Sequence, residues 1–144
     1  MAARILCPVD LAHEKSWQIA LPEAAREARL RDAELHLLCV VPDLGMSMVA
    51  QYFPEGHERE MLERAEADLA RIAQETLPAG TAHQCHVAHG HPAEEILAAA
   101  ERLGATLIVM ASHKPDSLRT LFVSSMADRI VHHAPQSVLI VRGN

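Results

Sequence analysis

This sequence of 144 residues has very few aromatic side chains, no excess of basic charge and no disulfide framework. Trp17, Tyr52, Phe53 and Phe122 are its only aromatic residues, too few for a platform that stacks nucleic-acid bases. The formal net charge is −6, from 13 basic and 19 acidic residues, so we expect no nucleic-acid partner. The cysteines number three and are widely spaced, which favours a reducing, cytoplasmic location.

Long hydrophobic runs are also missing. No apolar run approaches the 18 residues that a membrane-spanning helix needs, and the apolar N-terminal stretch is too short for a signal peptide. The composition is nevertheless 49% hydrophobic, which is too apolar for a disordered chain. Together with the length, this predicts a single domain over residues 1–144 with its own core.

Short apolar runs alternate with longer segments of helical spacing. The runs predict strands near 5–9, 35–41, 81–88, 106–110 and 138–141, of which the third is polar enough for a sheet edge. Apolar residues three to four apart predict a helix between each pair of strands, although Pro22 lies inside the first. Pro92 opens the third helix and Gly104 ends it. This order predicts an α/β fold with a parallel sheet and right-handed crossovers.

Two segments are candidates to meet at a ligand site. Residues 8–10 end the first strand and residues 111–116 follow the fourth, and parallel sheets bind ligands beyond such ends, where the strand order reverses. The second segment leads to a helix N-terminus, which favours anions. Ser125 and Asp128 have the spacing of a capping box at that helix.

Six segments in the right order resemble the universal stress protein family along essentially the whole chain. They are Ile5–Asp10, Leu37–Val41, Val87–Ile96, Ala105–Ala111, His133–Pro135 and Val138–Arg142. The resemblance implies an open five-stranded parallel sheet in the order 3-2-1-4-5 with four helices, like the adenine nucleotide alpha-hydrolases. It also implies ATP or AMP, with or without Mg²⁺, between strands one and four, and a homodimer formed through residues 138–142.

This chain departs from the phosphate-binding motif of the nucleotide-binding members. That motif reads G-x-x-G, nine residues, then G-S or G-T, and this chain has Ala111, Lys114 and Ser124 at the glycine positions. Ser125 keeps the hydroxyl, the nine-residue spacing is intact, and residues 112–116 resemble the S-H-R-P-D form of one branch of the family. The alternative is a nucleotide-free homodimer of the same family that acts through protein interactions.

The resemblance implies a set of nucleotide-binding candidates, each with a simpler interpretation. Asp10 would contact ribose or adenine, or only form an Asx-type turn at the first helix. Val40 would support adenine or be an ordinary strand residue. His113, Lys114 and Arg119 would attract phosphate or form a solvated loop, and the two serines would donate to phosphate or cap the helix. The full set is Pro8, Val9, Asp10, Val40, Met110, Ala111, His113, Lys114, Ser124, Ser125 and Met126.

Other features point to no catalytic or metal chemistry. His83, Cys85, His86, His89 and His91 lie close in sequence, but residues alternate faces along a strand, and His83 and His89 would be about 20 Å apart. No hydrolase, P-loop or zinc-protease motif is present, so we expect no enzyme beyond slow nucleotide hydrolysis. The long segment 42–57 follows the second strand and is interpreted as a lid over the nucleotide or as a partner-binding loop.

Overall fold

Strands and helices alternate along the described part of the chain. The computed structural model describes residues 2–42, 56–112 and 125–142, without the side chain of Ser125. The strands are β1 (Arg4–Pro8), β2 (Glu34–Pro42), β3 (His83–Gly90), β4 (Leu107–Ser112) and β5 (Ser137–Arg142). The helices are α1 (Glu14–Arg31), α2 (His57–Thr76), α3 (Pro92–Leu103) and α4 (Ser125–His133).

All four strand pairings are parallel, and the sheet order is β3-β2-β1-β4-β5. Strand β1 lies at the centre, where Ile5 pairs with Leu35 of β2 on one side and with Leu107 of β4 on the other. The predicted fold class and strand order are therefore confirmed. The strand order reverses between β1 and β4, so the carboxyl ends of these two strands flank the switch point.

The sheet separates two cores, because successive strand residues point to opposite faces. On β1, the side chains of Ile5 and Cys7 pack with α1 and α2, whereas Leu6 packs with α3 and α4. Helix α2 contributes Leu69 to the first core, and α4 contributes Ile130 to the second. The two pairs of helices bury the central strands on both faces of the sheet. The carboxyl ends of these strands are left to form a cleft.

The predicted helix signals hold where the structure describes them. Pro92 is the first residue of α3, and Gly104 follows its end with a φ of +67°, a left-handed conformation suited to glycine. Pro22 lies inside α1 with its side chain exposed. The Ser125 capping box stays a prediction, because that side chain is outside the described part. No helix among the described residues is long and apolar enough to cross a bilayer.

Candidate functional site

A cleft of about 550 Å³ opens at the carboxyl ends of β2, β1 and β4. Its floor is formed by the last residues of these strands. Its walls come from the segment before α1, from α2, and from the first turns of α3 and α4. Pockets of this volume are typical of small-molecule sites, and the position is the one that parallel sheets use for ligands.

The cleft brings together most of the residues that the sequence nominates. Seven of them line it: Pro8, Val9, Asp10, Val40, Met110, Ala111 and Met126. His113, Lys114, Ser124 and the neighbouring Arg119 lie outside the described residues, as does most of the segment 42–57. Ser125 begins α4, but its side chain is not described. Phosphate contacts by these residues therefore stay predictions.

Asp10 combines a structural role with a place in the cleft wall. Its Oδ1 accepts a hydrogen bond from the Ala12 N–H at 3.0 Å, which forms an Asx-type turn, and its Oδ2 accepts from the His13 ring Nδ1 at 2.8 Å. Its backbone N–H donates to Ser16 Oγ at 3.1 Å, and that hydroxyl donates back to the Asp10 carbonyl oxygen. The N-cap of α1 is His13 rather than Asp10. Both carboxylate oxygens are thus engaged before any ligand arrives.

Sequence reasoning missed one whole wall of the cleft. Met61, Arg64, Ala65 and Asp68 of α2 line it, at a spacing of three, one and three residues that places them on one helical face. Hydrophobic periodicity assigns the charged residues of α2 to the solvent side. The sequence did hold one signal that Arg64 faces the cleft. Met61 and Ala65 flank Arg64 on one helical face, and a charged residue between apolar residues can face the protein. Leu11, Ala12, Ser16, Pro92 and Ile96 also line it, as do Leu38, Cys39, Val41 and Pro42 of β2.

Two of the three cysteines, Cys7 and Cys39, are buried thiols near the cleft. Burial raises the pKa of Cys7 to about 12. Burial raises the pKa of Cys39 to about 11, and the negative charges of Asp10 and Asp68 add to this effect. Burial also raises the pKa of the half-buried Cys85. A thiol with so high a pKa is a poor nucleophile, so the cleft holds an apolar floor with carboxylates beside it and no activated thiol.

The histidines of β3 divide between the two faces of the sheet as predicted. His89 pairs with Glu58 of α2 at 2.9 Å, whereas His86 faces the opposite side and stacks on His36 with ring centroids 5.1 Å apart. Across residues 2–42, 56–112 and 125–142, no three His, Cys, Asp or Glu side chains are grouped so that they could hold a metal ion.

A family model matches nearly the whole sequence. The universal stress protein family model covers residues 1–142. The chain belongs to the universal stress protein family. Universal stress protein G of Escherichia coli O157:H7 is 29% identical, with 99% of this chain and 100% of the relative aligned. The Lactobacillus plantarum universal stress protein UspA shares the fold with a TM-score of 0.70 at 27% identity, covering 97% of each chain.

More distant members of this family have been solved with nucleotides. An Archaeoglobus fulgidus universal stress protein in complex with dAMP is 20% identical, with a TM-score of 0.60 over 96% of this chain and 97% of that one. An Arabidopsis thaliana family protein with AMP bound is 16% identical, with a TM-score of 0.57 over 99% of this chain and 92% of that one. At these identities the likeness shows the shared fold.

Proposed function

We propose that this universal stress protein binds an adenine nucleotide, ATP or AMP, in the cleft between β1 and β4 and acts as a homodimeric stress-response regulator. The observation that carries the proposal is the cleft itself. About 550 Å³ of space lies at the switch point and is lined by seven residues nominated from sequence alone. The nucleotide complexes of distant members with the same fold support the choice of ligand.

The cleft suits a nucleotide with its base on aliphatic side chains. Val9, Val40 and Met110 provide an apolar surface, and the described part of the lining has no aromatic ring. The first turn of α4 lies at the β4 side, where Met126 lines the cleft, and the positive end of a helix dipole favours a phosphate there. This arrangement would place the base and sugar over β1 and β2 and the phosphates toward α4.

Binding, rather than efficient turnover, is the proposed activity. The described lining offers carboxylates, a hydroxyl and a guanidinium, and the sequence has no known hydrolase motif. ATP hydrolysis would therefore be slow, whether or not Mg²⁺ is added. A steady-state phosphate-release assay checks this directly, and turnover at ordinary enzyme rates, of about 1 s⁻¹ or more, would contradict it.

The nucleotide proposal is tested by melting temperature. The protein is heated with AMP, with ATP, and without ligand, each in the presence and absence of Mg²⁺. A ligand at 100 times its Kd stabilises the folded state by about 2.7 kcal/mol, which raises the melting temperature of a chain this size by several degrees. No shift at millimolar nucleotide would contradict the proposal and favour a nucleotide-free protein-interaction module.

The dimer is proposed to form through β5, which lies at the edge of the sheet with Val138 to Val141 half-buried. An apolar edge strand of this kind needs cover against non-specific pairing. Light scattering is expected to give twice the mass of one chain. Val141→Glu should give the mass of one chain, whereas Val131→Glu on the exposed face of α4 should not. A wild-type mass of one chain would contradict the dimer.

A further inference from the structure

The face of α2 that lines the cleft carries two side chains of opposite charge. Arg64 and Asp68 are four residues apart, on the same face as the buried Ala65. Asp68 forms an ion pair with Arg71 on its own helix, with Arg71 Nη2 at 3.6 Å from Asp68 Oδ1. This distance exceeds a normal hydrogen bond, so the ion pair leaves the acceptor capacity of the carboxylate unused.

Asp68 differs from Asp10 in the hydrogen bonds that it already receives. Asp10 accepts from Ala12 and His13, one bond on each oxygen. Among the described residues, no group donates a hydrogen bond to Asp68, whose side chain is 42% exposed. An ionised carboxylate has about four lone-pair positions and accepts hydrogen bonds only. Among the described residues, Asp68 therefore has more unused acceptor positions than Asp10, the carboxylate that the sequence nominated.

The two carboxylates line the same cleft from different walls, Asp10 from the segment before α1 and Asp68 from α2. Both raise the pKa of the Cys39 thiol through their negative charge, which places each of them within electrostatic range of one sulfur atom on β2. The Asp68 carboxylate disfavours a phosphate beside it and favours groups that carry N–H or O–H, while Arg64 adds a positive charge one helical turn away. We expect a nucleotide in this cleft to place its nucleoside part toward Asp68 and its phosphates toward α4.

We propose that Asp68 is a specificity-determining residue of the cleft, which accepts a hydrogen bond from a donor on the nucleoside part of the ligand. The donor is either the exocyclic amine of adenine or a ribose hydroxyl. A 6-oxopurine presents a carbonyl oxygen where adenine presents its amine, and this oxygen would face a carboxylate. The inference rests on the proposed nucleotide binding and adds to it a discriminating residue that lies outside the motif resemblance.

The experiment measures the Kd of AMP, IMP and 2′-deoxy-AMP by calorimetry for wild type, Asp68→Asn and Glu63→Gln. Asp68→Asn is nearly isosteric and replaces an acceptor-only group by one that also donates. Glu63→Gln removes one negative charge from an exposed position of the same helix, 71% exposed and not in the cleft lining. Circular dichroism confirms that each variant folds.

The expected result is that wild type prefers AMP over one of the two analogues by about tenfold, the size of one hydrogen bond to a charged group. Asp68→Asn should reduce this preference to about unity, and Glu63→Gln should retain it. Loss of the AMP/IMP preference identifies the amine as the donor, and loss of the AMP/2′-deoxy-AMP preference identifies the hydroxyl. If wild type binds AMP and Asp68→Asn changes neither ratio, the inference is wrong while the proposed function stands. If wild type binds no nucleotide, the proposed function itself is wrong.

Discussion

At the scale of single residues, a chain of hydrogen bonds through the buried imidazole of His36 connects three strands, β1, β2 and β3. Glu34 Oε1 lies 3.2 Å from Arg4 Nε and 3.1 Å from His36 Nε2, and His36 Nδ1 lies 2.9 Å from His86 Nε2. A carboxylate only accepts, so Nε2 of His36 carries a proton. In neutral His36 the other ring nitrogen then accepts from the Nε2–H of His86. His36 and Arg4 together lower the pKa of Glu34.

These hydrogen bonds between side chains make the stability of the protein sensitive to acid. Burial lowers the pKa of His86 below its ordinary 6.5, and electrostatic interactions with His36 and Arg102 lower it further. The unfolded chain therefore binds a proton at His86 before the folded chain does, so stability falls as the pH drops below about 6.5. We expect the urea midpoint to fall between pH 7.5 and 5.5, and to fall less in His86→Gln. His91→Gln, at an exposed position, should follow wild type. An equal fall in His86→Gln would contradict this assignment.

The thiols provide a second prediction at the residue scale. Cys7 and Cys39 are buried with pKa values of about 12 and about 11, whereas Cys85 is only half-buried. Since the thiolate is the reactive form, iodoacetamide at pH 8 should alkylate Cys85 first. Cys7 and Cys39 should react only after the protein is unfolded in urea. Peptide mass spectrometry resolves the order, and early modification of Cys7 would show that the core opens more readily than its burial indicates.

At the scale of elements, the junction of β3 and α3 depends on a glycine. Gly90 has a φ of +146°, and a Cβ atom there would lie 2.7 Å from Glu95 Oε1 and 3.1 Å from Glu95 Cγ. We expect Gly90→Ala to lower the free energy of unfolding by about 1–3 kcal/mol. Gly80→Ala is the control, because its φ is also positive but its Cβ would meet no atom within 4 Å. Adding Glu95→Ala to Gly90→Ala should restore only the part of the lost free energy of unfolding that comes from the contact with Glu95.

A loss no larger for Gly90→Ala than for Gly80→Ala would show that the contact with Glu95 is unimportant. Chemical denaturation with a two-state fit gives both values, provided that the slopes with urea agree between the variants.

The sequence predicts the strands and helices, but it does not predict that α2 forms a wall of the cleft. Both outcomes have one physical reason. Burial produces the apolar periodicity of residues such as Leu69 and Ile72, so the sequence shows which face of α2 meets the core. Arg64 and Asp68 lie beside that face, and periodicity does not distinguish a charge facing solvent from a charge facing a cleft. That distinction depends on where β2 ends relative to α2, which is a tertiary property.

At the scale of the whole molecule, the strand order determines where the switch point lies. The family resemblance predicted that strand order. Alternating strands and helices predict a parallel sheet, yet several orders satisfy that pattern. The segments around Asp10 and Ala111 indicated which strand ends meet, and the cleft lies there. The polarity of the cleft was less predictable. Lys114 drew attention to the phosphate side, whereas the described structure adds a carboxylate of α2 at the other side.

The central claim is that this cleft holds an adenine nucleotide, and a cleft-filling variant tests it most directly. Ala111 lines the cleft at the end of β4 and is half-buried, so Ala111→Leu adds volume where the ligand would lie. Ala98→Leu adds the same volume on the exposed face of α3 and serves as the control. Overpacking of this kind weakens binding by about tenfold or more.

Isothermal titration calorimetry of AMP against wild type, Ala111→Leu and Ala98→Leu is the measurement. The account predicts one nucleotide per chain for wild type and Ala98→Leu, and at least roughly tenfold weaker binding for Ala111→Leu. Absence of binding to wild type at millimolar AMP, or equally tight binding to Ala111→Leu, would contradict it.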